Sequence, residues 1–273
     1  INTKNVINVN FVGYDTESGA TVISILDYAF ANSMIKNINY YNGLVTEFNG
    51  KEVESAINLG NSVKYIGSYA FANCQNVSTV ILPTSLSYDS IENPDVLGKY
   101  VFTHNENLVN IDMHGNILGS HMFDDCDGLS YLVITSYVKY IRDFTFANCD
   151  GLINYSEKTV DGNTIKSYNK NIYFNNKVVG SYMFYNCINL KSIDLSHNEN
   201  GANNEMEEIG YSSFSNCTSL EQMTIPFVGR HIYTSDSEES LFGWFFGDDS
   251  INKNNYDKKL EVAIERITQE YRE

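Results

Sequence analysis

A chain of 273 residues with a net charge of −16 and 42% apolar residues is long enough for one or two ordinary globular domains. The negative surface disfavours nucleic acid and anionic lipid as partners, and with no run of about 18 apolar residues nothing in the sequence inserts into a membrane as a helix. The chain begins at Ile1 rather than Met, so a removed targeting segment is expected and its absence does not argue for the cytosol.

In chain order, Val6, Ile7, Val9, Phe11 and Val12 alternate in part and predict a strand that caps the rest of the chain. The stretch Ile25 to Ser33 is then the first copy of a unit that recurs around Phe30, Phe71, Phe102, Phe123, Phe146, Phe184 and Phe214. Counted from that Phe, the unit is apolar at −5 and usually Gly at −4. It carries Cys or a small polar residue at +3 and apolar residues at +6, +9 and +11. The first copy runs one position short after its Phe. An insertion over 42–61 contains Phe48-Asn49-Gly50-Lys51, whose Asn-Gly predicts a hairpin projecting from the stack.

The copy around Phe71 is regular, and a linker carrying Pro94 leads to the copy around Phe102. Phe123 follows after only 21 residues. The copy around Phe146 has Arg142 in the Gly slot and Glu157 at its last apolar slot, so its strand is weak. A longer insertion over 156–177 carries the turn dipeptides Asp161-Gly162 and Asn175-Asn176, and Ile165, Ile172 and Phe174 predict one or two short strands there. After the copies around Phe184 and Phe214, Leu241 to Gly247 is a degenerate eighth element whose aromatics serve packing. These features place a repeat array over 1–250 and a tail or cap over 251–273. In the tail, Leu260, Ala263, Ile264, Ile267 and Tyr271 predict a terminal helix, while the alternation Leu260, Val262, Ile264 fits a strand.

The unit has a physical reading. Alternation at +9 and +11 makes a short strand with one face inward. Gly at −4 suits a bend with positive φ, and residues −2 to +2 suit a helical or 3-10 turn on the opposite wall. No single coil can bury its inner face, so neighbours must stack. All five cysteines, at 74, 126, 149, 187 and 217, fall at +3. Equivalent positions and an odd count point to a buried, reduced ladder rather than a disulfide framework. Ser33 and Asn105 occupy the same slot, so it requires small size and some polarity rather than a thiol.

Ile66 to Pro83 and Ile209 to Pro226, read as Ile-Gly-x-x-Ala/Ser-Phe-x-x-Cys-x-x-apolar-x-x-apolar-x-apolar-Pro, resemble the BspA-like leucine-rich repeats, as does Leu241 to Gly247. The resemblance covers roughly 22–250. It implies a right-handed leucine-rich-repeat solenoid of a β-rich α/β class, here with about seven repeats and irregular hairpin insertions. It further implies a secreted or cell-surface protein of host-associated bacteria and some protozoa, linked to adhesion, with no catalytic residues and no cofactor to transfer.

In such a solenoid the strand residues at +8 and +10 line the concave face. They are Thr79 and Ile81, Asn110 and Asp112, Tyr131 and Val133, Asn154 and Ser156, Ser192 and Asp194, Gln222 and Thr224. This row is the candidate binding face, set against the simpler account that strand residues outside a core are polar anyway. The candidate partners are a host extracellular protein, a glycan or another cell-surface protein. Asp124, Asp125 and Asp127 lack the spacing of a calcium loop, and His104, His114 and His121 lack metal-ligand spacing. The triplets at Asn76, Asn154 and Asn216 match the glycan acceptor pattern at a frequency that chance explains in a chain so rich in Asn and Ser. Two functions are expected on this basis: a binding or adhesion module without catalysis, and a structural spacer of a larger surface protein.

Overall fold

The computed structural model describes residues 8–11, 22–40, 46–48, 50–87, 96–153, 155–160, 163–168, 171–232, 242–247 and 268–270. Each coil has three sides. The first is a wall of longer strands. Asn8–Phe11, Asn37–Tyr40, Ala56–Asn58, Thr79–Leu82 and Asn110–Met113 form one five-stranded parallel sheet in that order. Leu132–Ile134 pairs with Ile172–Phe174, and Ser192–Asp194, Gln222–Thr224 and Thr268–Glu270 form a third sheet. The register aligns Val9, Ile38, Ile57, Val80 and Ile111 in one inward row. The second side consists of two-residue strands just before each turn, such as Tyr65–Ile66 beside Ser24–Ile25 and Tyr140–Ile141 beside Ile117–Leu118. The repeat spacing predicts one strand per coil; these paired residues add a second.

The third side is not helical. Residues −2 and +2 around each Phe have left-handed backbones, as at Tyr69 (φ 56°) and Asn73 (φ 54°), and the pattern repeats in all seven copies. Each coil therefore crosses this side in consecutive β-turns: the −1 amide donates to the −4 carbonyl (Ala70 to Gly67, 3.3 Å) and the +3 amide to the Phe carbonyl (Cys187 to Phe184, 3.2 Å). A 3-10 segment occurs at Phe242–Phe245. The amides at −2, 0 and +2 donate to the following coil, as Tyr69, Phe71 and Asn73 do to the carbonyls of Lys99, Val101 and Thr103 at 2.9–3.0 Å. This ladder satisfies backbone groups that a lone turn would leave to water.

Positive φ was expected at the −4 glycines and falls elsewhere. Those glycines serve close approach: a Cβ on Gly98 would lie 2.1 Å from the Ser68 amide nitrogen. Turn stacks on turn so tightly that a methyl group does not fit between them.

The core is the column of Phe rings. Phe71, Phe102, Phe123, Phe146, Phe184 and Phe214 are fully buried and stack face to face with their neighbours, with centroids 5.1–6.1 Å apart. Each buries roughly 1.5–3 kcal/mol of transfer free energy. A second aromatic column runs outside at −2, where Tyr28, Tyr69, Tyr100, His121, Phe144 and Tyr182 stack at 4.3–5.1 Å.

Both insertions do more than project. The hairpin Glu47–Phe48 with Lys51–Glu52 forms as expected, with Gly50 at φ 74°. Beyond it, Ala56–Asn58 enters the central sheet, and Ile57, Leu59 and Val63 join the core. In the second insertion Tyr155–Val160 and Asn163–Tyr168 form an antiparallel hairpin. Ile172–Phe174 then supplies the strand that the copy around Phe146 lacks, burying Ile172 and Phe174. In the tail, Thr268–Glu270 is a strand parallel to Gln222–Thr224, where helical spacing predicts a helix; the exposed backbone edge of the last sheet supplies its partner. The other tail residues lie outside the described set.

Candidate functional site

The outward row of the strand wall is only partly available. Thr79 is wholly buried, because Ala56 and Asn110 flank it in register and the Asn110 amide donates to its hydroxyl at 3.2 Å. Ser192 and Thr224 are also buried, beside Gln222 and Asp194 in register. The repeat spacing predicts all three to be exposed; each sits in register against neighbouring parallel strands, which bury a side chain this short. Asp194 is committed to its own loop: it accepts from the Ser196 and His197 amides at 2.9 and 3.2 Å and pairs with the His197 ring at 2.8 Å. Ile81 and Gln222 are half-buried, and Asn154 lies outside the described residues.

Asn110, Asp112, Tyr131 and Val133 behave differently. Asn110 and Asp112 lie in the strand Asn110–Met113, Val133 lies in Leu132–Ile134 and Tyr131 directly precedes it; the two strands are consecutive coils of the wall but sit in separate sheets. The first turns its ladder toward Thr79–Leu82 and the second toward Ile172–Phe174, with the Leu132 amide donating to the Asn171 carbonyl at 2.7 Å. Between them the wall opens into a cleft of about 230 Å³ with an aliphatic floor of Ile111, Met113 and Val133. The break coincides with the shortest repeat spacing, the 21 residues from Phe102 to Phe123. A side chain spans it in place of the backbone: the Thr135 hydroxyl donates to the Met113 carbonyl at 2.9 Å.

The rim is polar. Asp112 Oδ2 meets His114 Nε2 at 2.9 Å. Asn175 Nδ2 donates to Glu199 Oε1 at 3.3 Å, and both residues line the cleft. Tyr131 is 47% exposed, and Tyr173 meets it at 57°, so among the described residues no ring lies flat on it. Burial first, then the Glu199 and Tyr173 charges, push the Tyr131 hydroxyl above its ordinary value, so it remains a neutral donor at physiological pH. Asn175 and Glu199 were missed in the sequence because they come from loops outside the repeat pattern. The shortened spacing before Phe123 was the available signal.

The remaining candidate chemistry is structural. Each cysteine thiol donates to the Phe carbonyl of the preceding coil at 3.1–3.2 Å, as Cys187 does to Phe146. Asn105 makes the same bond to Phe71 with its amide at 3.0 Å. The slot thus requires a donor, which sharpens the reading of small size and some polarity. Burial pushes these thiols up, Cys217 to about 12, so they are not nucleophiles at neutral pH. Asp and His side chains of the third and fourth coils pair, His121 with Asp124 at 2.7 Å and His104 with Asp125 at 3.2 Å, and Asn148 of the fifth coil donates to Asp124 at 2.6 Å. Among the described residues no group of three or more His, Cys, Asp or Glu is placed to hold a metal. No helix of the described residues is long and apolar enough to cross a membrane.

The model of the BspA type leucine rich repeat region matches residues 14–88, 46–169 and 156–235, with six copies. Among solved structures, a leucine-rich repeat protein from Bacteroides ovatus is 22% identical over 80% of this chain and 63% of its own, with a TM-score of 0.34. This chain thus spans somewhat under two thirds of that protein. The Treponema pallidum leucine rich repeat protein is 15% identical over 96% and 86% of the two chains, TM-score 0.41. A leucine rich cell surface protein from Faecalibacterium prausnitzii is 14% identical over 92% and 90%, TM-score 0.28. No curated protein matches.

Proposed function

Because the chain belongs to the BspA-type leucine-rich repeat family, we propose that it is a non-catalytic binding module, secreted or held at a cell surface. It takes up a protein or glycan on the outward face of its strand wall, with the coil in the right-handed sense the family implies. One observation carries this reading. The strand wall opens between Asn110–Met113 and Leu132–Ile134 into a cleft with an apolar floor, a polar rim and one exposed aromatic. Concave sites of that make-up are where ligands are held. The test is a binding screen of the purified chain against extracellular-matrix proteins and glycans. Saturable binding weakened about tenfold or more by Tyr131→Ala is expected, in line with the cost of losing an aromatic anchor. Absence of saturable binding to all of them sinks the proposal.

A second reading, a structural spacer in a larger surface protein, is favoured by the first coil, where Ile23, Leu26, Tyr28 and Met34 are exposed. An apolar coil end fits packing against another segment. In that case Tyr131→Ala changes nothing and the chain binds no ligand.

A further inference from the structure

The ligand class follows from which hydrogen-bonding groups the cleft leaves open, and the inference rests on the binding role proposed above. Asp112 uses Oδ2 on His114, and among the described residues Oδ1 has no hydrogen-bond partner. Glu199 uses Oε1 on Asn175, and among the described residues Oε2 has no hydrogen-bond partner. Asn110 and Asn175 each spend one N–H, on Thr79 and on Glu199, and among the described residues their second N–H and their carbonyl oxygen have no further partner. The Thr135 proton is given to Met113, so its oxygen offers lone pairs only. Against the two remaining amide N–H groups and the Tyr131 hydroxyl stand the open oxygens of Asp112, Glu199, Asn110, Asn175 and Thr135, so acceptors predominate, and Asp112 and Glu199 bring two negative charges.

An acceptor-rich acidic cleft suits a group that has donors and no acceptors. Among natural side chains the guanidinium of arginine fits best: it has five N–H donors, no acceptor and a permanent positive charge. Its flat face also rests on an aromatic ring, and Tyr131 stands on the rim with no ring of the described residues stacked flat on it. Saccharide hydroxyls would need as many donors as acceptors. The net charge of −16 draws a basic partner toward the surface and repels an acidic one.

We infer that this cleft is the seat of an arginine side chain projecting from a basic segment of a protein partner, held between Asp112 and Glu199 and stacked on Tyr131.

The probe is Nα-acetyl-L-arginine amide, which carries the guanidinium without a carboxylate. It is titrated into the intact chain while the Tyr131 ring and Val133 methyl signals are followed by NMR. Saturable shifts at both residues are expected. Asp112→Asn or Glu199→Gln should weaken binding by about tenfold, the usual loss with one charge-assisted hydrogen bond. Glu47→Gln, in the distant hairpin, should leave it unchanged. The citrulline analogue has nearly the same shape without the charge and should bind far more weakly. Equal binding of citrulline overturns the inference, as do shifts with methyl β-glucoside in place of the arginine probe, or no saturable shift at all. If the arginine probe fails while the binding screen still shows a ligand lost in Tyr131→Ala, this inference falls and the binding role stands.

Discussion

Each Cys at +3 is set by a bond one coil away. Cys187 closes its own turn with its amide on Phe184 and reaches back with its thiol to the Phe146 carbonyl, 3.2 Å away. That carbonyl is enclosed by the Phe column, where an unpaired acceptor costs about 1–3 kcal/mol. Cys187→Ser keeps a donor of similar size, whereas Cys187→Val keeps the volume and loses the donor. Urea unfolding should therefore rank the variants wild type, then Ser, then Val, with Val lower by about 1–3 kcal/mol. Equal losses in Ser and Val would show that volume alone matters. The dispensability of the thiol was legible from Ser33 and Asn105 sharing the slot. The donor requirement was not, because it depends on which atom of the preceding coil lies opposite. Nor were the left-handed positions legible: Tyr, His and Phe at −2 are poor candidates for positive φ, and only the inter-coil amide ladder and ring stacking hold them there.

Among the elements, the two insertions separate what is attached from what is structural. Tyr155 and Tyr168 face each other at the base of an antiparallel hairpin, so excising 155–168 and rejoining the ends should leave the stack folded. Ile172–Phe174, only a few residues beyond, is a strand of the wall with Phe174 buried edge-on to Phe184. Phe174→Ala should cost about 3–5 kcal/mol in the same unfolding assay, the usual loss for a buried Phe. The excised chain should unfold in one transition close to wild type; a loss like that of Phe174→Ala would mean the hairpin is part of the stack. The place of the turn side in all seven coils, though not its conformation, could be read from the Phe and Cys spacing, because that side has no insertions. The strand side could not be read fully. Neither Ala56–Asn58 nor Ile172–Phe174 follows the +9 and +11 rule, and a strand recruited from an insertion has no fixed distance to its Phe.

For the molecule as a whole, acidity is concentrated as well as abundant. Asp124, Asp125, Asp127 and Asp150 occupy neighbouring coils, and burial together with the other carboxylates raises the pKa of Asp150 and Asp125. A carboxyl raised on folding adds stability that is complete below the unfolded value of about 3.9 and is lost as pH rises through the folded value. At neutral pH Asp150 is therefore a charged liability. Asp150→Asn should raise the urea midpoint at pH 7, and the gap to wild type should close as pH falls toward about 4. A constant gap across that range would place the effect in packing instead of charge. The exposed strand row was legible as a row, but its usable part was not. Burial of Thr79, Ser192 and Thr224 and the opening beside Tyr131 arise from how unequal coils fit together.

The amides on the turn side have a further consequence. Those at −2, 0 and +2 donate in one direction along the stack, from each coil to the next. That side therefore has an acceptor end and a donor end, much as a magnet has poles. Two copies brought together end to end by a twofold axis would set like groups against like. Only a head-to-tail contact matches donors to acceptors. Along a straight stack a contact of that kind does not close on itself, so end-on association through this side would grow as a filament rather than stop at a dimer.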